Sequence, residues 1–106
     1  MQQLFLNKLE ERFIRYVQID TQSDEQGAGV PSTQKQFDLL RPLADELRAL
    51  GVADVILADR GFVMGTIPAT VTAADIPTVA FLAHVDTAPA FSGTAVQPII
   101  HRRYDG

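Results

Sequence analysis

A chain of 106 residues provides for one modest domain. Hydrophobic residues make up 46% of it, enough for a packed core and too many for a disordered segment. Nine Lys plus Arg against thirteen Asp plus Glu give a formal charge of −4, and no cysteine is present, so a basic surface for nucleic acid or anionic membranes is excluded, as are disulfides and thiolate ligands.

At the amino terminus, Leu4, Phe5 and Leu6 are followed at once by Lys8, Glu10, Glu11 and Arg12, which leaves no apolar core for a signal peptide. No stretch approaches the length of a membrane span, and a cytoplasmic location is the expectation. Residues 2 to 19 read as an amphipathic helix. Leu6, Leu9, Phe13 and Val17 recur at three- and four-residue spacing, with Lys8, Glu11, Arg12 and Arg15 on other faces, so the stripe is expected to pack on a sheet. From Asp20 to Ser32 the chain turns polar, broken by Gly27, Gly29 and Pro31. These glycines follow no strand and precede no Lys, so they are not a phosphate loop.

Thr33 and Gln36 are spaced as a capping box that opens a second helix. Phe37, Leu40, Ala44, Leu47 and Leu50 continue it on one face, and Gly51 is placed to terminate it. Pro42 predicts a kink or a tight first half. Val52 to Ala58 and Phe62 to Ile67 read as strands joined through Asp59-Arg60-Gly61, a hairpin signal. Thr78 to Ala83 is apolar without alternation, as in a central strand buried on both faces. Ala95 to Arg103 is a weaker extended pattern. The order predicts an α/β sheet flanked by helices, and one short of covering layers, because two helices cannot cover both faces.

The apolar run ends in His84-Val85-Asp86-Thr87-Ala88-Pro89. In a strand, His84 and Asp86 point to the same face, from the carboxyl end where open α/β sheets place their sites. A neutral imidazole binds a metal through one nitrogen while the other donates to a carboxylate. No other residue extends this pair. His101 lies beside Arg102 and Arg103, whose charge disfavours a cation. Asp20 and Asp24 belong to a turn-rich loop, Glu10 and Glu11 to a solvated helix face, and Asp54, Asp59 and Asp75 to strand ends. No Ser-His-Asp or Cys-His arrangement exists.

An apolar strand followed by His-Val-Asp-Thr and Ala-Pro resembles the first metal-binding motif of the M20 zinc peptidases. Within that family the chain is most similar to the peptidase T branch, the tripeptide aminopeptidases. Arg15 to Ser23, Val30-Pro31-Ser32-Thr33 and Gly65-Thr66-Ile67-Pro68-Ala69 match its landmarks in order and spacing. The resemblance implies a zinc-exopeptidase-like catalytic domain, a helix-flanked mixed β-sheet of which residues 1–106 form an incomplete amino-terminal portion, about the first quarter. The rest of that domain, and the lid-like domain that many members use for dimer contacts, are then expected outside these residues, which leaves a homodimer as an expectation for the full-length enzyme alone. The resemblance further implies two Zn2+ ions per site, with His84 as a metal ligand and Asp86 as the catalytic-site carboxylate that orients it. The implied substrates are small peptides, and the reaction removes the first residue of a tripeptide. The bridging carboxylate, the second histidine and the general base have no match here. A zinc site needs at least three protein ligands, so the isolated chain is expected to be inactive and only marginally folded.

Two other assignments remain open on sequence alone. One keeps the family and changes the substrate, to that of a dipeptidase, carboxypeptidase or deacylase. The other is a non-catalytic α/β module that packs against a partner.

Overall fold

The computed structural model describes all 106 residues. Helix α1 spans Gln2–Val17 and helix α2 spans Phe37–Ala49, followed by strands β1, Ala53–Ala58, and β2, Phe62–Thr66. This is an α/β chain with a two-stranded antiparallel sheet.

A 3-10 turn, Gln34–Gln36, leads into α2, which runs as one α-helix through Pro42 to Ala49. The expected capping box is absent. No side chain caps the turn's backbone. Gln36 instead folds inward, where it is buried, and its Nε2 donates to the Ser32 and Thr33 hydroxyls at 3.3 and 3.2 Å. A buried amide needs partners, and the neighbouring hydroxyls satisfy it without the backbone.

At the other end, Gly51 adopts φ +81°. Its N–H donates to Arg48 O and that of Val52 to Leu47 O, both at 3.0 Å. This Schellman arrangement satisfies the last carbonyls of α2 and turns the chain directly into β1. Leu39, Leu40 and Ala44 of α2, with Pro31, are the buried apolar side chains of the molecule, and α2 packs against both strands.

The hairpin pairs Ala58 with Phe62, Leu57 with Val63 and Ile56 with Met64, and a bulge at Asp54 (φ +52°) shifts the register before Ala53 meets Thr66. Gly61 is required twice over. Its φ is +78°, and a Cβ there would sit 2.9 Å from the Pro31 ring. Gly61→Ala is therefore expected to destabilise the hairpin by about 1–2 kcal/mol. Faster amide hydrogen exchange confined to residues 53–66 would register it.

Helix α1 differs from expectation in what it covers. It forms as its periodicity predicts, yet none of its residues is buried. Its tie to α2 is polar. Glu46 accepts from Arg12 Nε at 3.1 Å, and from Arg15 Nη2 and the Tyr16 hydroxyl at 2.5 Å each. The Tyr16 hydrogen bond, aided by both arginines, holds the Glu46 carboxyl below its usual range against the opposing effect of burial. A depressed carboxyl contributes stability above its unfolded pKa and loses it as pH falls through the folded value. Acidification through and below the ordinary glutamate range is expected to free α1 from α2, seen as loss of Tyr16-to-α2 cross-peaks in NMR. In Glu46→Gln that pH dependence should vanish.

The expected central strand is also absent. Residues 78–83 carry no strand pairing, and Phe81 and Leu82 are 97% and 92% exposed. An apolar run becomes a buried strand only where neighbours supply hydrogen bonds and covering layers, and the hairpin pairs only with itself. Ala95 to Arg103 forms no strand either.

Candidate functional site

The polar loop after α1 and the segment after the apolar run come together. Gln22 and Thr87 form a parallel β-bridge. Thr87 N–H donates to Thr21 O at 3.2 Å, and Ser23 N–H donates to Thr87 O at 2.9 Å. The Thr21 hydroxyl donates to Val85 O at 2.7 Å, and the Ser23 hydroxyl to Thr87 O at 3.0 Å. Further along, Gln22 Nε2 reaches the carbonyl oxygens of Pro89 and Phe91 at 2.9 and 2.8 Å.

Asp20 ties the far end of this clasp. Its Oδ1 accepts the Gln22 N–H at 3.0 Å, closing an Asx turn, and its Oδ2 accepts from Lys35 Nζ and the Thr94 hydroxyl, each at 3.0 Å. The Gln22 backbone N–H, then Lys35 and Thr94, hold the Asp20 carboxyl below the usual carboxylate range. The reading of Asp20 as a turn residue is correct but incomplete, since the same carboxylate also grips a segment 74 residues away.

On this support sit the two residues singled out from sequence. His84 Nδ1 lies 3.0 Å from Asp86 Oδ1. A carboxylate only accepts, so Nδ1 carries the proton in this contact, and in the neutral ring Nε2 keeps its lone pair. Nε2 faces open space, because the His84 side chain is 83% exposed and that of Asp86 45%. The pair is therefore formed without the strand expected to present it. What a strand would have done by alternation, the backbone tie at residues 85–87 does here.

No group of three or more His, Asp or Glu side chains stands close enough to hold a metal. Within the chain, an ion at Nε2 would have this one protein ligand. His101 is exposed and plays no part in the cluster, and Arg102 pairs bidentately with Glu10 at 2.6 Å. His84, but not Asp86, is among the residues lining an apolar groove of about 690 Å³. Phe13, Tyr16 and Val17 of α1, Leu39 and Leu43 of α2, and Val85 and Phe91 of the motif segment line it.

Sequence reasoning missed Thr21, Gln22 and Ser23. Their polar, turn-rich setting gave no periodic signal, and their partners lie more than sixty residues away. The available signal was compositional: three consecutive side chains able to hydrogen-bond, Thr21-Gln22-Ser23, directly after a helix.

No protein-family model matches the chain. Among curated proteins it is 52% identical over 99 residues to peptidase T of Geobacillus thermodenitrificans, covering 93% of the chain and 24% of that protein. Peptidase T of Bacillus velezensis is 52% identical over 100 residues, covering 94% and 24%. Peptidase T of Bacillus pumilus is 46% identical over 96 residues, covering 91% and 23%. The chain thus spans about a quarter of the length of the relatives it matches.

Proposed function

Because the chain belongs to the peptidase T family over the quarter of the relatives' length that it spans, we propose that it contributes one metal ligand and its orienting carboxylate to a zinc tripeptide aminopeptidase. The observation that supports this best is the 3.0 Å contact between His84 Nδ1 and Asp86 Oδ1, with Nε2 free.

The residues present fit one corner of such a site. Asp86 fixes the tautomer in which Nε2 is the donor atom and raises the basicity of the ring. His84 Nε2 would hold the ion. When bound, zinc supplies Lewis-acid polarisation of a scissile carbonyl and activation of water. The remaining ligands and the general base belong to sequence beyond this quarter, as does the reading of the peptide's free amino terminus. The chain alone is accordingly proposed to be inactive, and the complete enzyme to be cytoplasmic and to act on tripeptides.

Tripeptide hydrolysis with added zinc tests this reading. It is measured for the 106-residue chain and for a chimera in which the chain replaces the matching residues of the Geobacillus thermodenitrificans relative. Release of the first residue by the chimera, and not by the chain alone, is the expected result. Activity of the chain alone would mean a site assembled from other residues, and an inactive but folded chimera would remove the assignment.

A further inference from the structure

We propose that Thr21 is the positioning residue of the His84–Asp86 pair, its hydroxyl fixing the peptide between the two side chains by donating to Val85 O. The inference rests on the pair being a metal-ligating unit, and it assigns the part of the chain that aims it.

Thr21 is 2% exposed, so its hydroxyl requires a partner within the protein, and Val85 O at 2.7 Å is that partner. Val85 stands between His84 and Asp86, and the two side chains meet only if the intervening backbone holds one conformation. Thr87, the residue after the pair, is fixed on both sides, by its N–H to Thr21 O and by Ser23 N–H to its carbonyl oxygen. Upstream there is no comparable support, since residues 78–83 are exposed and unpaired. The restraint that converges His84 and Asp86 therefore comes from the Thr21 side. Partners of metal-binding histidines act through such orientation, and their loss typically lowers metal affinity about 10–100-fold.

The test reads the ring nitrogens of His84 by proton–nitrogen correlation NMR in the metal-free chimera with the Geobacillus thermodenitrificans relative, at about pH 8, above the ordinary imidazole pKa. A short peptide carrying His101 is the reference for a free ring. In the parent chimera His84 is expected to carry its proton on Nδ1. Thr21→Val keeps the shape and removes the hydroxyl, and should return His84 to the mixture shown by His101. Thr21→Ser, which restores the hydroxyl, should keep the Nδ1 proton. Zinc affinity should fall about tenfold in Thr21→Val and stay near the parent's in Thr21→Ser. Amide signals of residues 53–66 should be unchanged in both, which a general loss of structure would not allow.

An unchanged Nδ1 proton in folded Thr21→Val overturns the positioning role while leaving the pair intact. A folded parent chimera in which His84 already resembles His101 overturns it together with the pair. If the Thr21 dependence holds but no zinc is bound, the metal assignment falls and the positioning role stands. Should Thr21→Val not fold, Thr21→Ala is read in its place. It removes the same hydroxyl from a smaller side chain, and it should shift His84 in the same direction. No shift in folded Thr21→Ala overturns the proposal.

Discussion

In the chimera with a peptidase T relative, His84→Ala is expected to reduce tripeptide hydrolysis to background, and Asp86→Asn to lower it about 10–100-fold. The two effects differ in kind. Removing His84 takes away a donor atom, and a zinc site with an open position has only three protein ligands to begin with. Removing the Asp86 charge leaves the donor in place but loosens the ring, which at present is held at 3.0 Å through Nδ1. The amide oxygen introduced by Asp86→Asn could still accept from Nδ1–H, so the pairing partly survives while the added basicity is lost. Metal content separates the two. His84→Ala should lose zinc outright, whereas Asp86→Asn should bind it more weakly and recover part of its rate when zinc is raised. Full activity in folded His84→Ala would sink the ligand assignment.

The second large effect concerns the chain by itself. Its accessible surface is 8936 Å², whereas a compact protein of 11.6 kDa exposes about 5,800 Å². Its radius of gyration is 16.9 Å, against about 13 Å for a compact domain of this length. If only a third of the roughly 3,000 Å² difference is apolar, the burial forgone is on the order of 25 kcal/mol. That exceeds the roughly 5–15 kcal/mol by which ordinary domains are stable. The purified chain is therefore expected to melt without a cooperative transition and to bind a hydrophobic dye strongly. Ile76, Val79, Phe81 and Leu82, all exposed, are the sites where that dye would gather. A sharp sigmoidal melt with no dye binding would contradict this.

The local elements were legible because their causes are local. The three- and four-residue spacing gave α1, Gly51 gave the end of α2, and Asp59-Arg60-Gly61 gave the hairpin, which forms one residue shorter at each outer end than expected. What failed was whatever depended on a distant or absent neighbour. Thr78 to Ala83 is apolar enough for a buried strand, but hydrophobicity supplies no strand to pair with. Thr33 and Gln36 had the spacing of a capping box, and burial drew the Gln36 amide to side-chain hydroxyls instead. At the site, residue types revealed His84 and Asp86, while the residues that hold them in place were hidden in a polar loop with no period to read.

The clasp between residues 20–23 and 85–94 has a thermodynamic consequence of its own. Thr21 and Val85 are 64 positions apart, and closing a loop of that size costs about 4 kcal/mol in chain entropy alone. Its hydrogen bonds contribute about 1 kcal/mol each, so no single one of them offsets the closure. Once Thr21 has met Val85, the contacts of Gln22 with Pro89 and Phe91 and of Asp20 with Thr94 form across a loop already closed. Closure is therefore collective: the segments join as one unit or stay apart, and His84 and Asp86 acquire their alignment in that same step.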